Sequence, residues 1–111
     1  MDLNTLTIRD FHDGLLSRNF SAVEAAQEFF DLIEEKDKKV GAYLRLTKET
    51  AFSQARAVDG EIQKGGDPGV LAGAPLAIKD NMLIEGEVTT AASKILSRYR
   101  ASYDATVIKK L

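Results

Sequence analysis

A chain of 111 residues with an apolar fraction of 44% has the size and composition of one globular domain. Its 15 basic and 17 acidic side chains leave a net charge of −2, which gives no electrostatic case for the whole chain binding nucleic acid or an anionic membrane. The absence of cysteine and the single histidine exclude a disulfide framework and a thiolate metal site, and argue against a zinc centre.

The opening stretch MDLNTLTIRDFHDG lacks the basic start and unbroken apolar block of a signal peptide, and no later run is long enough to span a bilayer. The expectation is a soluble, cytoplasmic protein. Thr7-Ile8-Arg9-Asp10 resembles a capping box with Asp in place of Glu, and Ile8, Phe11, Leu15 and Leu16 share one face at helical spacing, so a first amphipathic helix is expected from Thr7 to Phe20. Ser21-Ala22-Val23-Glu24 is a fuller capping box, followed by a stripe of Val23, Ala26, Phe30 and Ile33. It predicts a second helix from Ser21 to about Lys38. Glu24, Glu28, Asp31, Glu34 and Glu35 precede Lys36, Lys38 and Lys39, the order a helix dipole prefers, and read as a solvated face. The two helices are expected to pack through Phe11, Leu15, Val23, Phe30 and Ile33.

Gly41 stops the second helix, and Ala42 to Leu46 (AYLRL) alternates loosely with β-favouring residues, which predicts a short strand. Ala51, Ala55, Val58 and Ile62 then mark a helix starting at Thr47 and ending at Gly65-Gly66, before the turn residues Asp67-Pro68-Gly69. Pro75 to Lys79 reads as a short buried strand, and Asp80 to Thr90 as strand end and loop. Ser93 to Leu96 suggests a brief helix, and Asp104 is the expected cap of a last one carrying Val107, Ile108 and Leu111. That final stripe runs to the last residue with nothing to pack on, so the polypeptide reads as a piece of something larger.

Lys79 closes the most apolar short run of the chain. A strand-end lysine ordinarily lays its stem on apolar surface and keeps its ammonium in water. Held in a dry site instead, lysine is pushed towards the neutral amine and becomes a competent general base. Asp80 beside it favours the charged form if the two meet, but neighbouring strand residues point to opposite faces. His12-Asp13 is a weak metal or acid-base signal, because a metal site needs several converging ligands, and a surface position is the simpler reading. Thr89, Thr90 and Ser93 form a hydroxyl cluster with no base in sight, which fits local bonds at a helix start better than a nucleophile. Lys94, Arg98, Arg100, Lys109 and Lys110, interleaved with Tyr99 and Tyr103, have the ingredients for touching an RNA backbone and stacking bases. The commoner meaning of such a stretch is a solvated face.

GAPLAIKDN, TTAASKIL and YDATVIKKL resemble, in order and spacing, motifs of the amidase signature family, and within it the A subunits of tRNA-dependent amidotransferases. The likeness extends back through SAVEAAQEFF and GAYLRLTKETAFSQARAVD, so it covers essentially the whole chain. It implies that residues 1–111 are the N-terminal part of a single amidase signature domain of the α/β class, namely N-terminal helices plus the first strands of a mixed sheet wrapped by helices. It also implies that Lys79 is the base of a Ser-cis-Ser-Lys triad whose two serines lie in a Gly/Ser-rich segment beyond this chain. The activity implied is hydrolysis of glutamine, with the ammonia passed to a partner that uses ATP and magnesium to amidate Glu-tRNA(Gln) or Asp-tRNA(Asn). The implied partners are the B and C subunits and, through the complex, the aminoacyl-tRNA. No cofactor or metal is expected in this chain, and on its own it should be inactive. Ala74 stands where a β-branched residue is common, and Met82-Leu83-Ile84 is a greasier loop than usual. The competing expectation is a small α/β interaction module that binds protein or tRNA without catalysis.

Overall fold

The computed structural model describes residues 2–3 and 5–111, so the stretch read above for a signal peptide is described except at Met1 and Asn4. The fold comprises two compact units, one ending at Pro75 and the other spanning Leu76–Leu111.

The first unit is helical. Helix α1 covers Ile8–Leu16 behind the expected capping box: Thr7 Oγ1 accepts from the Asp10 amide at 3.2 Å, and the Asp10 carboxylate accepts from the Thr7 amide. It ends earlier than Phe20 because Arg18 turns left-handed at φ 57°. The Asn19 and Arg18 amides then donate back to the Gly14 and Leu15 carbonyls at 3.0 Å, closing the helix as glycine usually does. Phe20 folds over Gly14, where an added Cβ would lie 2.7 Å from Phe20 Cζ, and its ring centroid lies 5.3 Å from that of Phe11.

Helix α2 covers Ala22–Val40. Ser21 Oγ caps the Glu24 amide at 3.0 Å and Glu24 caps the Ser21 amide at 2.8 Å. Gly41 terminates α2 at φ 64°. The strand expected at Ala42–Leu46 does not form. The Asp37 carboxylate takes the Ala42 amide at 2.6 Å and the Tyr43 amide at 3.3 Å, so donors that a ladder would need bond back to the helix end instead. Helix α3 covers Lys48–Gln63 and closes with Gly65 at φ 83°, its amide donating to Ile62 and that of Gly66 to Glu61, both at 3.0 Å. The expected Gly-Gly stop thus acts through a 6→1, 5→2 pair of bonds.

The core of this unit is Phe11, Leu15, Ala22, Ala25, Ala26, Ala55 and Ile62, with Val23, Phe52 and Val58 packed beside it. Of the five residues expected to pair the first two helices, Phe11 and Leu15 do belong to this core and Val23 packs beside it. α2 packs chiefly on α3, and Phe30 and Ile33 lie outside the core. Those residues are half-buried, and Phe30 stacks on Phe52 of α3 at 5.5 Å. Alanines at positions 22, 25 and 26 let α2 approach its neighbours closely. Gly73 completes this core because its φ of 76° suits glycine and a Cβ there would crowd Ala22 and Leu15 at 3.1 and 3.2 Å.

The second unit is built from turns. Among its described residues the β pairing is one isolated antiparallel bridge, Val88 with Arg100, extended by Thr89 N to Tyr99 O and Ala101 N to Glu87 O, each 3.0 Å. A 3₁₀ turn at Lys94–Leu96 stands where the brief helix was expected. Helix α4, Thr106–Lys110, starts at Ala105 without a side-chain cap. Asp104 accepts from the Glu85 amide at 2.7 Å instead, so the expected cap residue braces a distant loop. Pro75–Lys79 is not a strand either, since a strand exists only through its ladder partners. The mixed sheet expected from the resemblance is absent among the described residues.

Candidate functional site

Lys79 sits at the first position of a turn, its carbonyl accepting from the Met82 amide at 3.0 Å, and its side chain is exposed. The residue after it is pinned. One Asp80 carboxylate oxygen accepts from the Thr90 amide at 3.2 Å, the other accepts from the Thr90 hydroxyl, and the Asp80 carbonyl accepts from the Ala91 amide at 2.9 Å. Thr90 Oγ1 in turn accepts from the Ala92 amide at 3.3 Å, and the Thr90 carbonyl from the Ser93 amide at 2.8 Å. These bonds hold Ala91 and Ala92 left-handed, at φ 46° and 62°, a conformation that costs alanine roughly 1–2 kcal/mol per residue. Thr89, buried at 6% exposure, anchors the other side of this loop through its backbone bond to Tyr99.

Of the three hydroxyls, that of Thr90 shapes the loop, through Asp80 and the Ala92 amide, while Ser93 starts the 3₁₀ turn without the side-chain cap expected of a helix start. Sequence reasoning treats Asp80 only as a neighbour of Lys79 and misses its pairing with Thr90. The available signal is chemical: Asp followed ten positions later by the second residue of a Thr-Thr step offers two acceptors to a loop rich in small residues. Chemically, the arrangement presents an amine on a backbone whose register is fixed from the adjacent residue.

His12 is half-buried rather than a free surface residue. Its Nε2 lies 2.9 Å from Asp67 Oδ1, while the Asp13 carboxylate adjacent in sequence is 3.7 Å from Nδ1. The hydrogen bond to Asp67 raises the His12 pKa above its ordinary value and lowers that of Asp67, which also accepts from the Gly69 amide at 2.9 Å. This ties α1 to the turn after α3. Among the described residues no group of three His, Cys, Asp or Glu side chains is placed to hold a metal ion, and no helix is long and apolar enough to cross a membrane. The basic aromatic stretch is exposed at Lys94, Arg98, Tyr99, Tyr103, Lys109 and Lys110. Arg100 is exposed as well and donates to the Gly86 carbonyl at 2.8 Å.

Residues 24–111 match the family model described as Amidase. Over all 111 residues the chain is 46% identical to the A subunit of the glutamyl-tRNA(Gln) amidotransferase of Carboxydothermus hydrogenoformans, of which it spans 23%. Over 110 residues, 99% of its length, it is 43% identical to the corresponding protein of Fusobacterium nucleatum subsp. nucleatum, again spanning 23% of that protein. A solved chain, from a vestigial protein complex bearing on the evolutionary origins of an s-triazine catabolic enzyme, superposes on 95% of this chain and 23% of its own length. Its TM-score is 0.89 and its identity 30%. The chain thus covers about a quarter of the length of the curated relatives it matches, and it belongs to the amidase family.

Proposed function

We propose that this chain is the lysine-bearing segment of a glutamine-hydrolysing amidase, the A subunit of a tRNA-dependent amidotransferase, with Lys79 as its general base. The observation that carries the proposal is the 46% identity, over the whole chain, to an amidotransferase A subunit; beside it, Lys79 stands on a turn whose next residue is bonded to the Thr90 loop. In the full-length protein Lys79, desolvated by the remaining chain, accepts a proton from one serine. That serine takes the proton of a second, whose oxygen attacks the glutamine side-chain carboxamide. The proton returns from Lys79 through the relay to the leaving nitrogen, and expulsion of ammonia leaves an acyl-enzyme that water hydrolyses to glutamate. The ammonia passes to the B subunit, held together with this one by the C subunit, where ATP and magnesium activate the aminoacyl-tRNA. Residues 42–46 and 75–79 become strands of the family's mixed sheet once the longer chain supplies their ladder partners.

The test is glutamine hydrolysis by the full-length protein. Lys79→Ala abolishes ammonia release while circular dichroism remains that of the parent, and Lys79→Arg fails too, because a guanidinium stays protonated at any working pH. Near-normal turnover by Lys79→Arg returns Lys79 to the role of a solvated surface lysine.

A further inference from the structure

We infer that Asp80 and Thr90 act as one positioning unit that fixes the Lys79 amine for proton transfer, an inference that rests on Lys79 being the base. A lysine side chain has four rotatable carbons and a large rotamer entropy, so the part of its placement that a fold can fix cheaply is the backbone from which it springs. Here that backbone is fixed immediately downstream. Asp80 contributes three acceptors, two carboxylate oxygens and its carbonyl, and all three are taken by the Thr90-Ala91 step.

The pairing is specific to a threonine or serine at position 90. The Thr90 hydroxyl donates to Asp80 and simultaneously accepts from the Ala92 amide. A single Oγ therefore links the Lys79 turn to the two left-handed alanines. Left-handed alanine persists only where the surroundings over-determine it. Losing the hydroxyl frees both ends: the Asp80 carboxylate keeps one of its two Thr90 bonds, and the Ala91-Ala92 step loses one of the bonds that hold it. Relaxation of that step pulls on the Asp80 carbonyl through the Ala91 amide and displaces the Lys79 turn. A displacement of about 1 Å at a proton-transfer partner is enough to lower turnover by about 100-fold.

The experiment uses the full-length protein, with kcat and KM for glutamine hydrolysis measured beside thermal stability. The variants are Thr90→Val, Thr90→Ser, Asp80→Asn and Lys79→Ala. Thr90→Val should lower kcat by about 10- to 100-fold with KM changed by less than about twofold. Thr90→Ser, which keeps the hydroxyl, should restore kcat to within about threefold of the parent. Asp80→Asn should fall between them, since its amide oxygen still accepts the Thr90 amide while its nitrogen forces the hydroxyl to reverse roles. Because the two residues form one unit, Asp80→Asn combined with Thr90→Val should be no slower than the worse single variant. If Lys79→Ala is inactive and Thr90→Val keeps parental kcat, the positioning role is overturned while the base assignment stands. If Thr90→Val and Thr90→Ser are equally slow and equally destabilised, Thr90 serves only to fold the loop, and the inference is likewise overturned. Turnover by Lys79→Ala removes the base assignment and the positioning role together.

Discussion

Asp59, in the C-terminal half of α3, takes the two free amides at the start of α2, accepting from Ala22 at 2.7 Å and from Val23 at 3.1 Å. Together with the reciprocal Ser21-Glu24 box, this satisfies the orphan donors at that helix start and places a carboxylate at the positive end of its dipole. A second contact runs the other way along the same unit. Arg18, left-handed at the end of α1, donates to the Ile62 and Gln63 carbonyls in the last turn of α3, each at 3.4 Å. Side chains from neighbouring helices thus cap both α2 and α3, which sets the register in which the alanine core closes.

Asp59→Ala should lower stability by about 1–2 kcal/mol, the usual effect of losing an N-terminal cap. Asp59→Asn should recover about half of that, because one oxygen remains to accept one amide. Urea titration of the two variants checks the order. Equal stability of Asp59→Ala and the parent would mean that water satisfies the α2 amides as well as Asp59 does.

Leu15 and Phe30 separate what is core from what is half-covered. Leu15 is 2% exposed, so Leu15→Ala should cost about 2–5 kcal/mol. Phe30 stands at the edge, its ring against Phe52 at 5.5 Å and under the Lys48 ammonium at 5.4 Å. Phe30→Ala should therefore cost less than Leu15→Ala. A double-mutant cycle with Phe52→Ala should return a coupling of about 0.5–1.5 kcal/mol, and zero coupling would remove the aromatic contact from the account.

The same two residues show what could be read in the sequence. A helix period and a cap make Phe11 and Leu15 legible as core, yet Ile8 and Leu16, on the same expected stripe, are exposed, because a nine-residue helix buries only the part of its stripe that meets a neighbour. The ends of all three long helices lie within a few residues of those the sequence predicts. For Phe30 the periodicity predicts the stripe but not the neighbour, Phe52 of α3, because a period gives a face and not its partner. The strands at 42–46 and 75–79 failed for a related reason: β-propensity marks a segment able to pair, while pairing depends on donors and acceptors elsewhere in the chain. Asp37 and Asp104 illustrate this: Asp37 takes amides that a strand at 42–46 would give to a ladder, and Asp104, read locally as a helix cap, accepts from the Glu85 amide instead. At the candidate site Lys79 stood out by its charge at the end of an apolar run. Its support from Thr90 did not, since a bond between residues ten apart in irregular structure leaves no period to count.

The His12-Asp67 pair predicts a stability profile with a maximum. Its hydrogen bond raises the His12 pKa, so His12 adds stability in full below its unfolded value, about 6.5, and that contribution is lost as pH rises through the raised folded value. Asp67 is lowered, so its contribution is present above its unfolded value, about 3.9, and is lost as pH falls through the lowered folded value. The stability difference between the parent and His12→Gln should therefore be greatest between about pH 4 and 6.5. It should shrink on either side. An NMR titration of the His12 ring should give a midpoint above that of an unstructured histidine peptide, and a midpoint at or below it would break the pairing.

Ala92 and Ala57 make a matched test of backbone strain, the same substitution at two sites with opposite expected signs. Ala57 is exposed in the middle of α3, where glycine adds backbone entropy to the unfolded chain and no contact is relieved, so Ala57→Gly should destabilise by about 1 kcal/mol. Ala92 is exposed too, but it is held at φ 62°. There Ala92→Gly removes a Cβ clash worth about 1–2 kcal/mol against the same entropic loss of about 0.5–1 kcal/mol. The net should be neutral to stabilising by about 1 kcal/mol. Chemical denaturation of the two variants, followed by a probe in each unit, measures the contrast. Should Ala92→Gly destabilise as much as Ala57→Gly, the left-handed step beside Thr90 carries no strain, and the bonds from Asp80 and Thr90 have nothing to hold in place there.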